Sequence, residues 1–405
     1  MSERLQHERP GLAGFPPGVA ACFVWVYVAE FLPVGVVAPY LQVFLKNAGF
    51  SKENIGLIQG ALGMTTMLAP PLWGYFSDRL GRPRLALSVA VLASIPAFGL
   101  VWLAGGSLWA VMAAIVVYGL FREPIIALTD GLTLRYIHLR GGDYGFVRSF
   151  GSLAFIVAVG AMELLGVSRP GDVRPLIAAA FMIGLAHQAL SLLSLPPVHA
   201  GGASIRYRPD LRVLLQRGFV LLTLAAVLSR VAMMSYYYFF TLFVKESLHF
   251  PHAGWLWAIG PVSEIPMIFF SGRLMKRFGV RGLFALSLVG TIVRLLGYGA
   301  ATAWWQIIPL QLLHSLSFGA FFTASVTYVS RLVAPEMKTS AQTVFAGIAY
   351  GVGSLIGGAL GGAVVQAWGY AGLYRTFAGV AALGLVVLLF VPRAPVGNEN
   401  ASPQA

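Results

Sequence analysis

The sequence predicts an all-α membrane protein with twelve transmembrane helices, arranged as two pseudo-symmetric six-helix bundles. Three observations lead to this fold class. Of the 405 residues, 58% are hydrophobic and only 11% are charged, whereas a soluble domain averages about 25% charged residues. Short polar breaks divide the chain into apolar runs that are long enough to cross a bilayer. A segment rich in glycine and arginine recurs about half a chain length later, which predicts a duplicated bundle.

The apolar runs give twelve candidate spans, and each can hold the ~20 apolar residues that a transmembrane helix requires. In chain order the spans cover 17–40, 54–76, 84–104, 108–135, 144–167, 174–195, 218–244, 254–275, 282–302, 304–332, 340–366 and 372–391. Prolines fall inside several spans, at positions 124, 261, 266 and 309. A membrane helix tolerates proline where neighbouring helices or water satisfy the freed carbonyl groups.

The basic residues predict the orientation. With the N-terminus inside, the cytoplasmic segments hold 18 of the 28 Lys and Arg residues, and the outer segments hold six. This asymmetry follows the positive-inside rule and places both termini in the cytoplasm. The longest inner loop, rich in Gly, Pro and Arg, predicts four parts: an N-terminal bundle (1–196), a cytoplasmic linker (197–217), a C-terminal bundle (218–393) and a disordered tail (394–405).

The composition also excludes several classes of function. The single cysteine, Cys22, lies in the first apolar run, so one chain cannot form a disulfide. The sequence shows no catalytic triad, metal-ligand cluster or phosphate-binding loop, so we expect neither an enzyme nor a cofactor or metal. A net charge of +13 would suggest nucleic acid as the partner of a soluble protein. Here the charge follows the membrane orientation, so we expect no nucleic acid partner.

The recurring segment carries a resemblance to a known family. The sequence GYFSDRLGRPR (74–84) follows span 2, and GRLMKRFGVR (272–281) follows span 8, with the shared positions 198 residues apart. The first resembles the loop 2–3 signature of the major facilitator superfamily, G-x-x-x-D-R-x-G-R-[RK]-[RK], with proline in place of one base. The matching residues are Gly74, Asp78, Arg79, Gly81 and Arg82. The resemblance implies the major facilitator fold, alternating access and a conformational role for this motif.

Two charges stand inside the apolar parts of spans 4 and 5. Asp130 and Arg148 each lie nine residues from Leu139, at the middle of the intervening loop. At ~1.5 Å rise per residue, both lie less than ~13 Å from the turn and at matching depth. Intramembrane charges are costly unless they pair or face water. We therefore predict a close pair that is either a structural link between the helices or a substrate site lining the cavity.

This stretch narrows the resemblance to the group of proton symporters that contains lactose permease and the phenylpropionic acid transporters. In lactose permease a glutamate and an arginine at this spacing bind the sugar. Phe155 falls at the position where that permease stacks a tryptophan on the sugar. Arg294 and His314 are similar to the span 9 arginine and span 10 histidine of that permease. Ser317 occupies the position at which lactose permease has its proton-carrying glutamate. The phrases LTDGLTL and DYGFVRSFGSLAFI are similar to the phenylpropionic acid branch, in which a span 8 glutamate and the span 10 histidine are usual.

A second charged layer is predicted in the C-terminal half. Arg294 lies ten residues before Trp304, in the loop between spans 9 and 10, and His314 lies ten residues after it. Counting from the preceding loop places Glu264 at a similar depth. A carboxylate that alternates between an apolar environment and an arginine can load and release a proton. The three residues therefore form either a proton-coupling site, with Glu264 as the carrier, or a permanently satisfied polar cluster.

Two further charges leave alternatives open. Glu30, in the middle of span 1, could line the cavity as a substrate ligand or pair with Arg230 or Arg148. Arg230 precedes Tyr236–Tyr238, which fit either an aromatic wall around a ring-bearing ligand or an interfacial belt. The intramembrane acids and arginines balance in number. The solute could thus be neutral, or a monoanion that meets a freed arginine.

These observations predict a proton-coupled secondary active transporter, a symporter of the cell inner membrane that imports a small organic solute. An aromatic acid, a nucleoside or a sugar would fit the resemblance. We expect a monomer whose partners are the solute, the proton and the lipid bilayer. The alternative is a proton-driven exporter of drugs or sugars, although span 5 lacks the proline-containing pattern of drug antiporters. A membrane-embedded sensor or scaffold is a third class.

Overall fold

A computed structural model describes residues 12–16, 18–196, 211–333 and 337–393. All regular secondary structure within these ranges is helical. Most of the predicted linker, residues 197–210, and the whole predicted tail, 394–405, lie outside them. The described part of the chain has the all-α character that the composition predicts.

Ten helices in the described ranges are long and apolar enough to cross a membrane. Two of the continuous helices, Ala253–Ala300 and Gly353–Leu389, each contain a sharp turn at one glycine. Gly279 has φ 70° and Gly369 has φ 66°, a left-handed conformation that glycine adopts at little cost. Dividing both helices at these turns gives twelve spans within the described residues, ten plus two, which matches the predicted number.

The first six spans are α1 to α6. Their bounds are α1 Val19–Asn47, α2 Lys52–Leu80, α3 Pro83–Leu103, α4 in two segments Leu108–Arg122 and Pro124–Arg140, α5 Tyr144–Leu165 and α6 Arg174–Ser191. Helix α4 is interrupted between its segments because a proline inside a helix has no N–H to donate and clashes with the preceding turn. Asp143 caps α5, and its carboxylate accepts a hydrogen bond from the Phe146 N–H at 3.1 Å.

The other six spans are α7 to α12. Their bounds are α7 Arg217–Glu246, α8 253–278, α9 280–300, α10 from Ile307–Leu312 through Ser315–Ala320 to Phe321–Leu332, α11 from Lys338–Ala346 through Gly347–Val352 to 368, and α12 370–389. The middle segments of α10 and α11, Ser315–Ala320 and Gly347–Val352, are π-helical. Short π-helical segments inside α-helices occur frequently at functional sites.

The chain forms two compact units. Unit 1 comprises Met1–Phe44 and Ala69–Ser204, and unit 2 comprises Leu45–Leu68 and Ile205–Ala405. A hydrophobic cluster in unit 1 joins α1, α3, α4 and α5 around residues such as Phe23 and Val147. A second cluster, in unit 2, joins α7, α9, α10, α11 and α12 around residues such as Phe284 and Ala324.

Unit 2 therefore includes the first half of α2, and glycines allow this segment to pack closely on α11. A Cβ atom added to Gly56 would collide with the Gly358 carbonyl oxygen, and one added to Gly358 would collide with the Gly56 carbonyl oxygen. Both added atoms would lie far inside van der Waals contact with the opposite backbone, so only glycine fits at either position. Small residues commonly serve this purpose between membrane helices.

Candidate functional site

The predicted layer of Glu264, Arg294 and His314 comes together in unit 2. Arg294 on α9 and His314 on α10 are both buried, and Arg294 Nη1 lies 2.9 Å from His314 Nδ1. The other ring nitrogen, His314 Nε2, lies 2.9 Å from Glu264 Oε1 on α8. The glutamate side chain remains 28% exposed. His314 thus bridges a buried arginine and a partly exposed carboxylate.

Arg294 has neutral polar partners on every side. Its Nε donates to the Tyr298 hydroxyl at 2.7 Å, its Nη1 donates to the Ser317 hydroxyl at 3.2 Å, and its Nη2 donates to Gln311 Oε1. The guanidinium carbon also lies 4.1 Å from the ring centre of Tyr236. A buried ion is tolerated when its hydrogen-bonding groups are satisfied in this way.

The network fixes the tautomer of His314. Arginine has only donors, so the Nδ1 atom that faces Arg294 must be an acceptor. The ring proton then lies on Nε2, which donates to the Glu264 carboxylate. A second proton, on Nδ1, would point at the Arg294 N–H group, and the hydrogen bond between Arg294 and Nδ1 would be lost. Of the three groups, Glu264 has the most exposed side chain.

Arg230 on α7 has a different environment. It is 1% exposed, and its Nε and Nη2 atoms have no hydrogen-bond partner among the described residues. Three aromatic rings surround its guanidinium carbon, with ring centres at 4.5 Å for Phe321, 4.8 Å for Tyr350 and 5.5 Å for Phe318. No carboxylate of the described residues forms an ion pair with it.

The predicted close pair of Asp130 and Arg148 in unit 1 is not a direct ion pair. No nitrogen of the guanidinium lies within 4.0 Å of the carboxylate, although both residues are described. Asp130 accepts a hydrogen bond of 2.6 Å from the Tyr27 hydroxyl, and Arg148 stacks over Phe31 at 4.2 Å. The Tyr27 ring centre lies 5.8 Å from the Arg148 guanidinium carbon. Counting residues gave the depth of the charges but not the direction in which each helix presents them.

Glu30 pairs with neither Arg230 nor Arg148. Its carboxylate lies 2.8 Å from Arg122 Nη1 and also accepts a hydrogen bond from Gln188 Nε2. Glu30 is 1% exposed, so it lines no open cavity in this structure. The predicted ligand Phe155 is also buried, on the part of α5 whose backbone lies against Gly35 of α1.

Several residues of the site were missed by sequence reasoning. Gln311, Tyr298 and Tyr27 supply the hydrogen bonds that hold Arg294 and Asp130. The helical spacing in the sequence indicates two of them, because Tyr298 follows Arg294 by four residues and Gln311 precedes His314 by three. Helical residues at these spacings are neighbours on one face. The structure also buries Tyr236 under Arg294, which excludes an interfacial belt at that position.

The comparison with known proteins gives the family. The model of the MFS_1 like family matches residues 22–377. The chain belongs to this family of the major facilitator superfamily. The maltose permease of Geobacillus stearothermophilus is 30% identical over 390 residues, covering 94% of this chain and 97% of the permease. A probable 3-phenylpropionic acid transporter of Escherichia coli (strain K12) is 28% identical over 332 residues, covering 80% of this chain and 86% of that protein.

Solved structures support the major facilitator fold. The nucleoside transporter NupG, in a single-substitution mutant form, aligns with a TM-score of 0.81 over 92% of this chain and 99% of its own, at 17% identity. The relatives and structural neighbours of the chain are transporters and not enzymes. The predicted fold class and family are therefore confirmed, and the chain is a multi-pass membrane protein.

The superfamily motif lies at the end of α2. Gly81 has φ 61°, in the left-handed region that glycine favours, and its N–H closes the turn on the Asp78 carbonyl at 3.2 Å. Arg79 Nη1 donates to the Tyr75 hydroxyl at 3.1 Å. The Asp78 and Arg82 side chains are exposed, and Gly74 has open space around its Cα. The conformational role of this motif stays a prediction.

No cluster of three or more His, Cys, Asp or Glu residues within the described ranges could hold a metal ion.

Proposed function

We propose that this chain is a proton-coupled symporter that imports a small organic solute by alternating access. It acts in the cell inner membrane with both termini in the cytoplasm. The observation that carries the proposal is the contact of His314 with both Arg294 and Glu264 at 2.9 Å. This contact leaves one titratable carboxylate, partly exposed, at the end of a buried polar network. Such an arrangement suits a group that must take up a proton on one side of a membrane and release it on the other.

Glu264 is the proposed proton carrier. Its carboxylate lies 2.9 Å from the His314 imidazole, and its side chain is partly exposed, so water can deliver a proton to it. Asp130, Arg148, Phe155 and Arg230 are proposed to contact the solute. Glu30 has a structural role in this proposal, because it is buried and lies 2.8 Å from its direct partner Arg122.

The named relatives support a small organic solute. Those relatives are a maltose permease, a probable 3-phenylpropionic acid transporter and a nucleoside transporter. Labelled maltose, 3-phenylpropionate and uridine are therefore the probes for a first assay. Proteoliposomes that are alkaline inside should accumulate one of these probes above equilibrium, and a protonophore should abolish the accumulation. Accumulation driven only by an acidic interior would favour the proton-driven exporter.

The decisive variant is Glu264→Gln. The glutamine Oε1 can still accept the hydrogen bond from His314 Nε2, but it cannot carry a proton. We expect the variant to bind and exchange the solute at rates near those of the parent, with a complete loss of accumulation against a gradient. Glu163→Gln is the matched control, since Glu163 is another buried membrane carboxylate and accepts a 2.9 Å hydrogen bond from Tyr40. Accumulation by Glu264→Gln at the level of the control would move the carrier role to Asp130.

A further inference from the structure

We propose that Arg230 binds the carboxylate of an anionic solute, so that the transported molecule is a small organic monoanion with an apolar body. This inference rests on the proposed transport function and names the class of substrate. It begins from the contrast between two buried arginines of unit 2. Arg294 has a polar partner for each of its nitrogens, whereas Nε and Nη2 of Arg230 have none among the described residues.

A buried guanidinium without an anion is unfavourable. Removing an ion from water costs several kcal/mol unless its charge and its hydrogen-bonding groups are compensated. The rings of Phe321, Tyr350 and Phe318 offset part of this cost, since a cation is attracted to the face of an aromatic ring. Aromatic faces stabilise the charge but accept little from the N–H donors. The environment of Arg230 therefore lacks an anion that has oxygen acceptors.

The two unsatisfied nitrogens identify the shape of the missing group. The Nε–H and the nearest Nη2–H of a guanidinium point the same way along one edge. That edge binds the two oxygens of a carboxylate through a pair of parallel hydrogen bonds. Sugar hydroxyls could accept hydrogen bonds from these donors, but they would leave the positive charge of Arg230 uncompensated. The pattern of unsatisfied atoms thus favours a carboxylate over a neutral ligand.

The surrounding helices present an apolar surface beside this edge. Phe318 belongs to the π-helical segment of α10, and Tyr350 belongs to that of α11. Gly353 allows the α11 backbone to lie close to Arg230, because a Cβ atom there would lie 2.5 Å from the Arg230 Cβ. Rings on neighbouring spans suit a solute with a flat apolar body.

The anion site adjoins the proton network. The Phe318 ring stacks on His314 with centres 5.6 Å apart and an angle of 2° between planes, and the same ring lies 5.5 Å from the Arg230 guanidinium carbon. Tyr237 lies within electrostatic range of both Arg230 and Glu264. An anion on Arg230 would repel an ionised Glu264 and so favour its protonated form. Solute anion and proton would then bind together, and each transport step would carry no net charge.

The experiment compares 3-phenylpropionate with 3-phenylpropionamide, which has nearly the same shape but no charge. Thermal unfolding of the purified full chain should show stabilisation by the acid and none by the amide. Three variants, Arg230→Met, Arg230→Lys and Arg294→Met, separate the roles of charge and geometry. Arg230→Lys keeps the charge without the two-donor edge, so we expect at least ~10-fold weaker binding of the acid.

The ligand-free variants provide a second measurement that needs no probe. Arg230→Met removes a buried charge that has no ion-pair partner among the described residues, and should raise the melting temperature. Arg294→Met removes the donor to the Tyr298 hydroxyl and one of the two donors to Gln311 Oε1, and should lower it. A melting temperature of Arg230→Met at or below that of the parent would overturn the proposal. Equal stabilisation by acid and amide would also overturn it, as would the absence of stabilisation by the acid.

The transport assay distinguishes a failure of this inference from a failure of the proposed function. Electroneutral uptake of 3-phenylpropionate, driven by an alkaline interior and insensitive to an imposed membrane potential, supports both. Proton-driven uptake of maltose that Arg230→Met retains would overturn the anion site and leave the symporter in place. If the acid binds through Arg230 but its uptake does not respond to a proton gradient, the anion site is supported and the proton-coupled symporter is overturned.

Discussion

Glu30 and Glu264 are two intramembrane carboxylates, one in each unit, and they are held in different ways. Glu30 is 1% exposed and lies 2.8 Å from Arg122, with a further hydrogen bond from Gln188. Glu264 is 28% exposed, and His314 stands between it and the nearest buried arginine of its network, Arg294. A buried carboxylate beside a guanidinium forms an ion pair shielded from water, whereas a partly exposed carboxylate beside an imidazole stays within reach of water. The difference agrees with the proposed roles, a structural ion pair for Glu30 and proton exchange for Glu264.

The largest expected effect is on the structural pair. Arg122→Met leaves Glu30 buried without its opposite charge, and breaking a buried pair from one side costs about 3–5 kcal/mol. We expect the apparent melting temperature in detergent to fall by at least ~6 °C, taking ~2 °C per kcal/mol for a chain of this size class.

The control for this prediction is the double variant Glu30→Gln with Arg122→Met. It removes both charges, so most of the lost stability should return. If Arg122→Met alone had the same melting temperature as the parent, the stability of the protein would not depend on the pairing of Glu30 with Arg122. The contrast with Glu264 would then fail.

A second prediction concerns Tyr27, which contacts Asp130 as His314 contacts Glu264. Tyr27→Phe removes the hydroxyl that donates to Asp130 at 2.6 Å. A hydrogen bond to a charged group contributes about 1.5–3 kcal/mol, so the variant should lose that much in the free energy of unfolding. Tyr136→Phe is the matched control, because the Tyr136 ring packs on Phe15 and Phe23 in the same unit.

The two tyrosine variants also test the solute site. Tyr27→Phe should weaken binding of the transported probe because it alters the position of Asp130, and Tyr136→Phe should leave the dissociation constant unchanged. Equal binding by both variants would indicate that Asp130 holds helices together and does not contact the solute.

Residue counting predicted which charged residues of unit 2 share one level, and predicted the partners of the charged residues only in part. Arg294 and His314, placed at one level by counting from Trp304, are in contact, and Glu264 joins them. The same counting failed to identify Arg122 as the partner of Glu30. Residue counting along an α-helix gives height, whereas contact also requires the rotation of each helix about its axis.

Other features of the site depend on the whole environment of a residue. Two nitrogens of Arg230 have no hydrogen-bond partner among the described residues. This property depends on every helix around Arg230, so no single stretch of sequence reveals it. Phe318 and Tyr350 lie in π-helical segments, a rare form that the apolar run lengths of the sequence do not predict. The fold followed from apolar run lengths and charge positions, because the bilayer constrains both.

The smallest expected effect concerns Ser317, which stands in the network around His314. Its hydroxyl accepts one of several hydrogen bonds from Arg294, at 3.2 Å, and donates to the His314 carbonyl at 3.3 Å. Ser317→Ala should therefore cost only about 0.5–1.5 kcal/mol, since Arg294 keeps its other partners. Ser287→Ala is the control, as that buried hydroxyl donates to the Phe284 carbonyl of its own helix. Both variants should retain full accumulation of the probe in the proton-gradient assay. Loss of accumulation by Ser317→Ala alone would place the hydroxyl on the proton route, and Glu264 with His314 would then be insufficient to carry the coupling.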